Sequence, residues 1–287
     1  VGYGMESHII DGNNILEVYF KVAHLVRDMR INPRPILLEF KTFRMRGHEE
    51  ASGTKYVPQE LLDTWAAKDP LENFTTYLIG ENLLTPESMA AYKTEIQVEI
   101  DEHLRIAFAE DTIKPNETIE LGDVYQKFDY KEVRPSKFIT KIRLVDAISE
   151  GLRQAMKKFD NLVIMGQDVA EYGGVFKITD GFVNDFGKER VRNTPICESA
   201  IVSASMGLSI NGMKAVMEMQ FADFASSGFN PIVNYLAKSY YRWGENADVV
   251  IRMPCGGGVA AGPFHSQTNE AWFTKTPGLK VVYPAFP

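Results

Sequence analysis

"VRNTPICESAIVSASMGLSINGMKAVMEMQF", residues 191–221, decides the fold. A strand or loop, "VRNTPI", leads into a helix over 198–211, and "KAVMEMQF" then reads as a strand. The alternation extends both ways. Before it come a helix over 142–158, the strand "NLVIMG" (161–166) and the helix "DGFVNDFG" (180–187). After it come a helix over 223–242, the strand "ADVVIRMP" (247–254), a glycine-rich loop and the strand "GLKVVYP" (278–284). Strands alternating with helices imply α/β, a mainly parallel sheet with helices on both faces. Such sheets bind ligands at the carboxyl ends of their strands.

Within that stretch Glu198 is the one charge in a long run of small and apolar residues. An unpaired buried charge costs several kcal/mol, so a carboxyl here needs a buried partner or a proton. The helix N-terminus favours the anion and the apolar neighbours favour the neutral acid. A capping glutamate in a first turn is the plain reading. The apolar run that follows points instead to a buried functional acid.

The N-terminal half has a different texture. "VGYGMESHIIDGNN" reads as turn, residues 15–30 as an amphipathic helix, and "PILLEFKTFR" (35–44) as a strand. A polar loop covers 45–58. Helical pattern then runs to about residue 111, broken at Lys68-Asp69-Pro70 and at Thr85-Pro86, where Thr85 reads as N-cap and Pro86 as the first helical residue. Residues 112–137 mix charge, proline and turn formers, which makes them the expected linker. The predicted domains are therefore 1–111, a partial α/β domain with a helical tail, and 138–287, the parallel-sheet domain.

The 287 residues carry a formal charge of −7 and are 45% hydrophobic. That balance speaks against nucleic acid as a partner. No stretch is apolar enough for a membrane helix. Cys197 and Cys255 make no metal or disulfide pattern, which suits a reducing, cytoplasmic setting. The start at Val1 and the stop after "LKVVYPAFP" lead to the expectation of a piece of a longer protein.

Further polar groups fall at strand ends and in loops. Gln220 and Phe224 sit in "EMQFADF", where a satisfied amide and a core ring are the usual readings. "CGGGVAAGPFHSQ" (255–267) lacks the phosphate-loop and dinucleotide fingerprints, but it presents His265 on a loop, where function concentrates. His48 follows a strand and lies near Arg44 and Arg46, a setting for an anion, though a solvated basic loop has the same look. His8, His24 and His103 have no metal-spaced partner and read as structural.

These residues are familiar as a set. "GQDVAEYGGVFKITDGFVNDFGKERVRNTPICESAIVSASMGLSINGMKAVMEMQFADF" and "GPFHSQTNEAWFTKTPGLKVVYP" resemble the β part of the thiamine-diphosphate-dependent decarboxylating component of 2-oxo acid dehydrogenase complexes. "DGNNILEVY", "ILLEFKTFRMRGHEE" and "YVPQELLDTWAAKDPLENF" resemble the C-terminal half of its α part. The order suggests a fused α–β form, with a transketolase-like fold in the β segment.

The resemblance implies the following. Glu198 takes the place of the glutamate that hydrogen-bonds N1′ of the cofactor's aminopyrimidine and so promotes loss of the thiazolium C2 proton. Phe224 packs against the pyrimidine, and Ile196 and Gln220 line that pocket. His265 matches a histidine implicated in acyl transfer to lipoamide, and His48 a loop histidine facing substrate and cofactor. Arg44 belongs to that same loop and helps to hold anionic groups. Magnesium and diphosphate are held in this family by a Gly-Asp-Gly…Asn motif, absent here and expected upstream of residue 1. No residue of this chain is assigned to metal.

The expected reaction is oxidative decarboxylation of a branched-chain 2-oxo acid, with acyl transfer to the lipoyl group of a partner acyltransferase by a homodimer of the fused parent. The fragment alone is expected to be inactive. Pyruvate or acetoin dehydrogenase, a transketolase-like enzyme and a non-enzymatic truncated product are the alternatives. Glu49 stands where mitochondrial relatives carry a phosphorylatable serine, so control at that point is not expected.

Overall fold

The computed structural model describes residues 2–132, 134 and 140–287. They divide into two compact units that meet in sequence between Thr112 and Ile113.

The first unit opens with strand β1 (Glu6–Asp11), in a segment the sequence reads as turn. It pairs in parallel with β2 (Ile36–Lys41), Glu6 opposite Ile36 and Asp11 opposite Lys41. Between them lies α1 (Ile15–Ile31), started by Asn14, whose side chain accepts the Glu17 N–H at 3.2 Å. Tyr3 and the glycines mask the strand, yet the ladder to β2 recruits "ESHIID" into extended backbone. The His8 ring bonds the Glu6 carboxylate at 2.8 Å.

Helices α2 (Gln59–Ala66), α3 (Pro70–Gly80) and α4 (Pro86–Ala109) follow, broken where the prolines require. Thr85 Oγ1 accepts the Ser88 N–H at 3.2 Å, and Ser88 Oγ accepts the Thr85 N–H at 3.0 Å. That reciprocal cap fixes the start of α4, with Pro86 inside its first turn.

The second unit begins within the segment read as linker. Asn116 caps a short helix there, α5 (Glu117–Val124), by accepting the Ile119 N–H at 3.1 Å. The predicted boundary at 137/138 lies outside the described residues.

Then come α6 (Leu144–Lys158), β3 (Leu162–Gly166), α7 (Phe182–Phe186), β4 (Val191–Asn193), α8 (Glu198–Ile210), β5 (Lys214–Glu218) and β6 (Val249–Arg252). The sheet order is β4-β3-β5-β6, and each neighbouring pair is parallel. Both faces are buried. Val163 and Met165 of β3 join Ile201, Val202, Met217 and Ile232 in one cluster, while Leu162 and Ile164 join Met156, Phe182 and Val216 in the other. Two-sided burial explains the near-continuous apolar strands of the sequence.

Two expectations fail. The single helix over 223–242 is three pieces: 3₁₀ turns at Ala222–Gly228, a π-helical stretch at Pro231–Leu236 and α9 (Ser239–Trp243). Pro231 has no N–H to give to the preceding turn, so the regular α-helical ladder is interrupted there, and the backbone, helical at Phe229 and Asn230, continues as the π-helical stretch. The second failure is the strand over 278–284, which does not form. Its Leu279 carbonyl instead accepts the Tyr125 hydroxyl at 3.2 Å. Residues 279–283 line a cavity of about 730 Å³ together with Val249 and Ile251 of β6. The last helix is the four-residue α10 (Ala271–Thr274), which buries Phe273.

Candidate active site

The register aligns Asn193, Gly166, Glu218 and Arg252 in one row across the carboxyl edge of the sheet. The strands approach closely along it: a Cβ at Gly166 would lie 2.7 Å from the Glu218 carbonyl oxygen.

Glu198 is the first residue of α8, directly beyond this row. With Ile201, Val202 and Ser205 it forms the helix's buried face, one stripe at i, i+3, i+4 and i+7. The helix packs that stripe on the sheet, which carries Glu198 inside to 8% exposure. Its partner is Gln167, the residue that follows β3, also 8% exposed. Gln167 Nε2 donates to Glu198 Oε1 at 3.0 Å.

The 222–228 turns pack over the start of α8: a Cβ at Gly228 would lie 3.6 Å from the Glu198 carbonyl carbon. They carry Phe224, whose ring meets the His265 imidazole edge-on at 5.3 Å. Phe221 meets both, His265 at 5.1 Å and Phe224 at 6.0 Å. Asp223 ties the two segments together. Its buried carboxylate accepts the Gln267 N–H at 3.3 Å through Oδ1, and Oδ2 has no hydrogen-bond partner. The Asn269 amide donates to the Ala222 carbonyl at 3.0 Å, a second tie. His265 is thus half-buried on an anchored loop rather than a free one.

Glu218 and Arg252 form a buried ion pair between the ends of β5 and β6, with side chains 2% and 16% exposed. Arg252 Nε donates to Glu218 Oε2 at 3.0 Å. Nη2 presses on the same oxygen without hydrogen-bond geometry, and Glu218 Oε1 has no partner.

Of the residues singled out by sequence, the structure gathers Glu198, Phe224 and His265 at one edge of one sheet. Gln220 is half-buried just past β5. Ile196 is 83% exposed. Arg44 and His48 are exposed residues of the other compact unit, in the loop after β2. The sequence reading missed Gln167, Phe221 and Asp223. Gln167 directly follows one strand pattern and Phe221 ends another, both at the ligand-binding end of the sheet, and that position was the available signal. The 730 Å³ cavity is lined by none of Glu198, Phe224 and His265.

A buried carboxyl, an imidazole and aromatic rings at the carboxyl edge of a parallel sheet are groups that can hold a planar polar ligand. Among the described residues no group of three or more His, Cys, Asp or Glu side chains is placed to hold a metal ion, and no helix is long and apolar enough to cross a membrane.

Comparison with known families places both halves of the chain. Residues 140–287, just over half of the chain, match the family model described as "Transketolase, pyrimidine binding domain". The chain belongs to this family.

Ahead of its pyrimidine-binding domain, residues 1–116 match the model described as "Dehydrogenase E1 component". Both families serve thiamine-diphosphate-dependent enzymes, as the sequence resemblance implies. The "2-oxoisovalerate dehydrogenase subunit beta" of Bacillus subtilis (strain 168) is 42% identical over 145 residues, which cover 50% of this chain and 44% of that protein. The "Pyruvate dehydrogenase E1 component subunit beta" of Acholeplasma laidlawii is 40% identical over 148 residues, covering 51% and 45%. The chain thus spans less than half the length of these relatives. A solved "Split gene transketolase, inactive beta4 tetramer" aligns with TM-score 0.35 at 22% identity, over 46% of this chain and 39% of that one.

Proposed function

We propose that this chain supplies the pyrimidine-binding half of a thiamine-diphosphate site in a fused α–β 2-oxo acid dehydrogenase. Residues 1–111 form part of the α-type segment, 112–137 the linker and 138–287 the β-type segment, and the parent works as a homodimer. The observation that carries this reading is Glu198. It is a carboxyl buried at the start of α8, on the ligand-binding edge of a parallel sheet, in a domain of the pyrimidine-binding family.

When bound, the cofactor supplies a nucleophilic carbon and an electron sink for loss of CO₂. Glu198 holds and returns a proton at the ring nitrogen of the aminopyrimidine. Phe224 packs against that ring, with Ile196 and Gln220 beside it. His265, kept in place by Phe221 and the Asp223 tie, serves the acyl transfer to a lipoyl group on the partner acyltransferase. His48 and Arg44 face the anionic groups of substrate and cofactor. Magnesium and the diphosphate are held by residues outside those described.

The substrate is a branched-chain 2-oxo acid of the 3-methyl-2-oxobutanoate class, supported by the 42% identical relative. The pyruvate relative at 40% favours a second reading, and one methylene in a pocket is worth only ~1–3 kcal/mol. Turnover of a 2-oxo acid panel by the full-length protein, with thiamine diphosphate and a lipoyl acceptor, decides between them. In the same assay Glu198→Gln should lower turnover by at least ~10²-fold without unfolding. A mutant that matches the parent would make Glu198 a helix cap and end this reading.

A further inference from the structure

We propose that Gln167 is the positioning residue for Glu198. In this role it fixes one carboxylate oxygen, leaves the other for the ligand, and makes the contact tolerant of either protonation state. The inference rests on the proton-holding role given to Glu198 above.

Both partners stand on rigid supports. Gln167 follows Gly166, whose backbone is pinned between β4 and β5. Glu198 is held by the buried stripe of α8. A hydrogen bond between anchored elements loses little entropy on forming and restricts where the carboxyl can point. With Oε1 engaged by Gln167, Oε2 is the oxygen outside that bond.

The chemistry of the amide matters as much as its place. A primary amide donates through Nε2 and accepts through its oxygen. It therefore bonds the carboxylate as donor and, with the amide turned over, the protonated acid as acceptor. A carboxyl at position 167 would put two like charges about a hydrogen bond apart, and such pairs share one proton rather than both ionising. An apolar residue would leave a buried oxygen unsatisfied.

Other charges near α8 already have partners. On the elements packed against it, Lys214 pairs with Asp248, Glu218 with Arg252, and Asp223 accepts the Gln267 N–H. Asp168, next to Gln167, is exposed.

The test is calorimetric binding of thiamine diphosphate with magnesium to the full-length protein, from about pH 6 to about pH 8, for wild type, Gln167→Met, Gln167→Glu and Glu198→Gln, with circular dichroism to confirm folding. Gln167→Met should bind on the order of 10-fold more weakly throughout. Gln167→Glu, close to isosteric, should bind as wild type at the acid end, where one shared proton restores the contact. Relative to wild type it should weaken on the order of 10-fold toward the alkaline end. A Gln167→Glu variant that differs from wild type by one constant factor across pH, or not at all, overturns the inference and leaves the role of Glu198 standing. If Glu198→Gln binds and turns over as wild type, the functional reading itself fails.

Discussion

Gly278 adopts φ +91°, and a Cβ built on it would lie 1.8 Å from the Ala237 carbonyl oxygen. Backbone against backbone cannot yield as a side-chain tip would. Gly278→Ala should therefore cost about 3 kcal/mol or more of stability, measured as the urea midpoint of the second unit. A loss under about 0.5 kcal/mol would show that the turn is not seated there. At this scale the sequence is legible where chemistry contrasts with its surroundings. Glu198 stands out as a lone charge among apolar residues. Gln167 does not, because a neutral amide after an apolar strand contrasts with nothing, and its bond to Glu198 spans 31 positions. The Phe224–His265 contact is silent for the same reason: two rings far apart in sequence meet only once the strands are ordered.

Among elements, β5 and β6 are joined by a buried ion pair. Arg252 and Glu218 are buried together, and one oxygen of the carboxylate is already without a partner. Removing one member of such a pair strands the other's charge. Arg252→Met should destabilise the second unit by about 3–5 kcal/mol, while adding Glu218→Met should recover much of that loss. Denaturant unfolding of the two variants tests it, and equal destabilisation of single and double mutants would sink it. The strands themselves were readable, since β3, β5 and β6 are apolar runs bounded by polar residues. The failures lie where pairing or punctuation overrides local preference. "ESHIID" becomes a strand only through its ladder to β2. "GLKVVYP" has strand composition but no ladder, because Gly278 is wedged on Ala237 and Leu279 bonds Tyr125 instead. The helix expected over 223–242 keeps a helical course through Pro231 but changes type there, and its last turn, α9, is set apart at residues 237–238.

The whole molecule is two units of unequal core. Among the described residues, the buried apolar side chains of the first are Ile10 and Leu25, whereas the second holds two extended clusters. The first unit leans instead on Arg34, whose guanidinium bonds Glu6 of β1 at 2.7 Å and Asp28 of α1 at 2.6 Å. Arg34, with His8 as a second donor, holds the Glu6 carboxyl below the ordinary carboxylate range. Asn32 and Arg34 do the same for Asp28. A carboxyl with a lowered folded pKa contributes stability that is full above its unfolded value, about 4, and is lost as pH falls through the folded value. The second unit also holds carboxyls low, Asp146 beside Arg143 and Glu171 beside Lys188, but it rests on two apolar clusters that do not titrate, so acid should loosen the first unit ahead of it. Trp65 reports on the first, stacked on Phe43 at 5.7 Å, and Trp243 and Trp272 report on the second. In a Trp243→Phe, Trp272→Phe background, Trp65 fluorescence should change at a higher pH than the second-unit signal of Trp65→Phe. Arg34→Met removes the donor both carboxyls share, so it should weaken the first unit near neutral pH and flatten its further loss below about pH 4. Coincident acid transitions, or an Arg34→Met profile parallel to wild type, would mean that the ion-paired hub does not govern how this half of the molecule responds to protons.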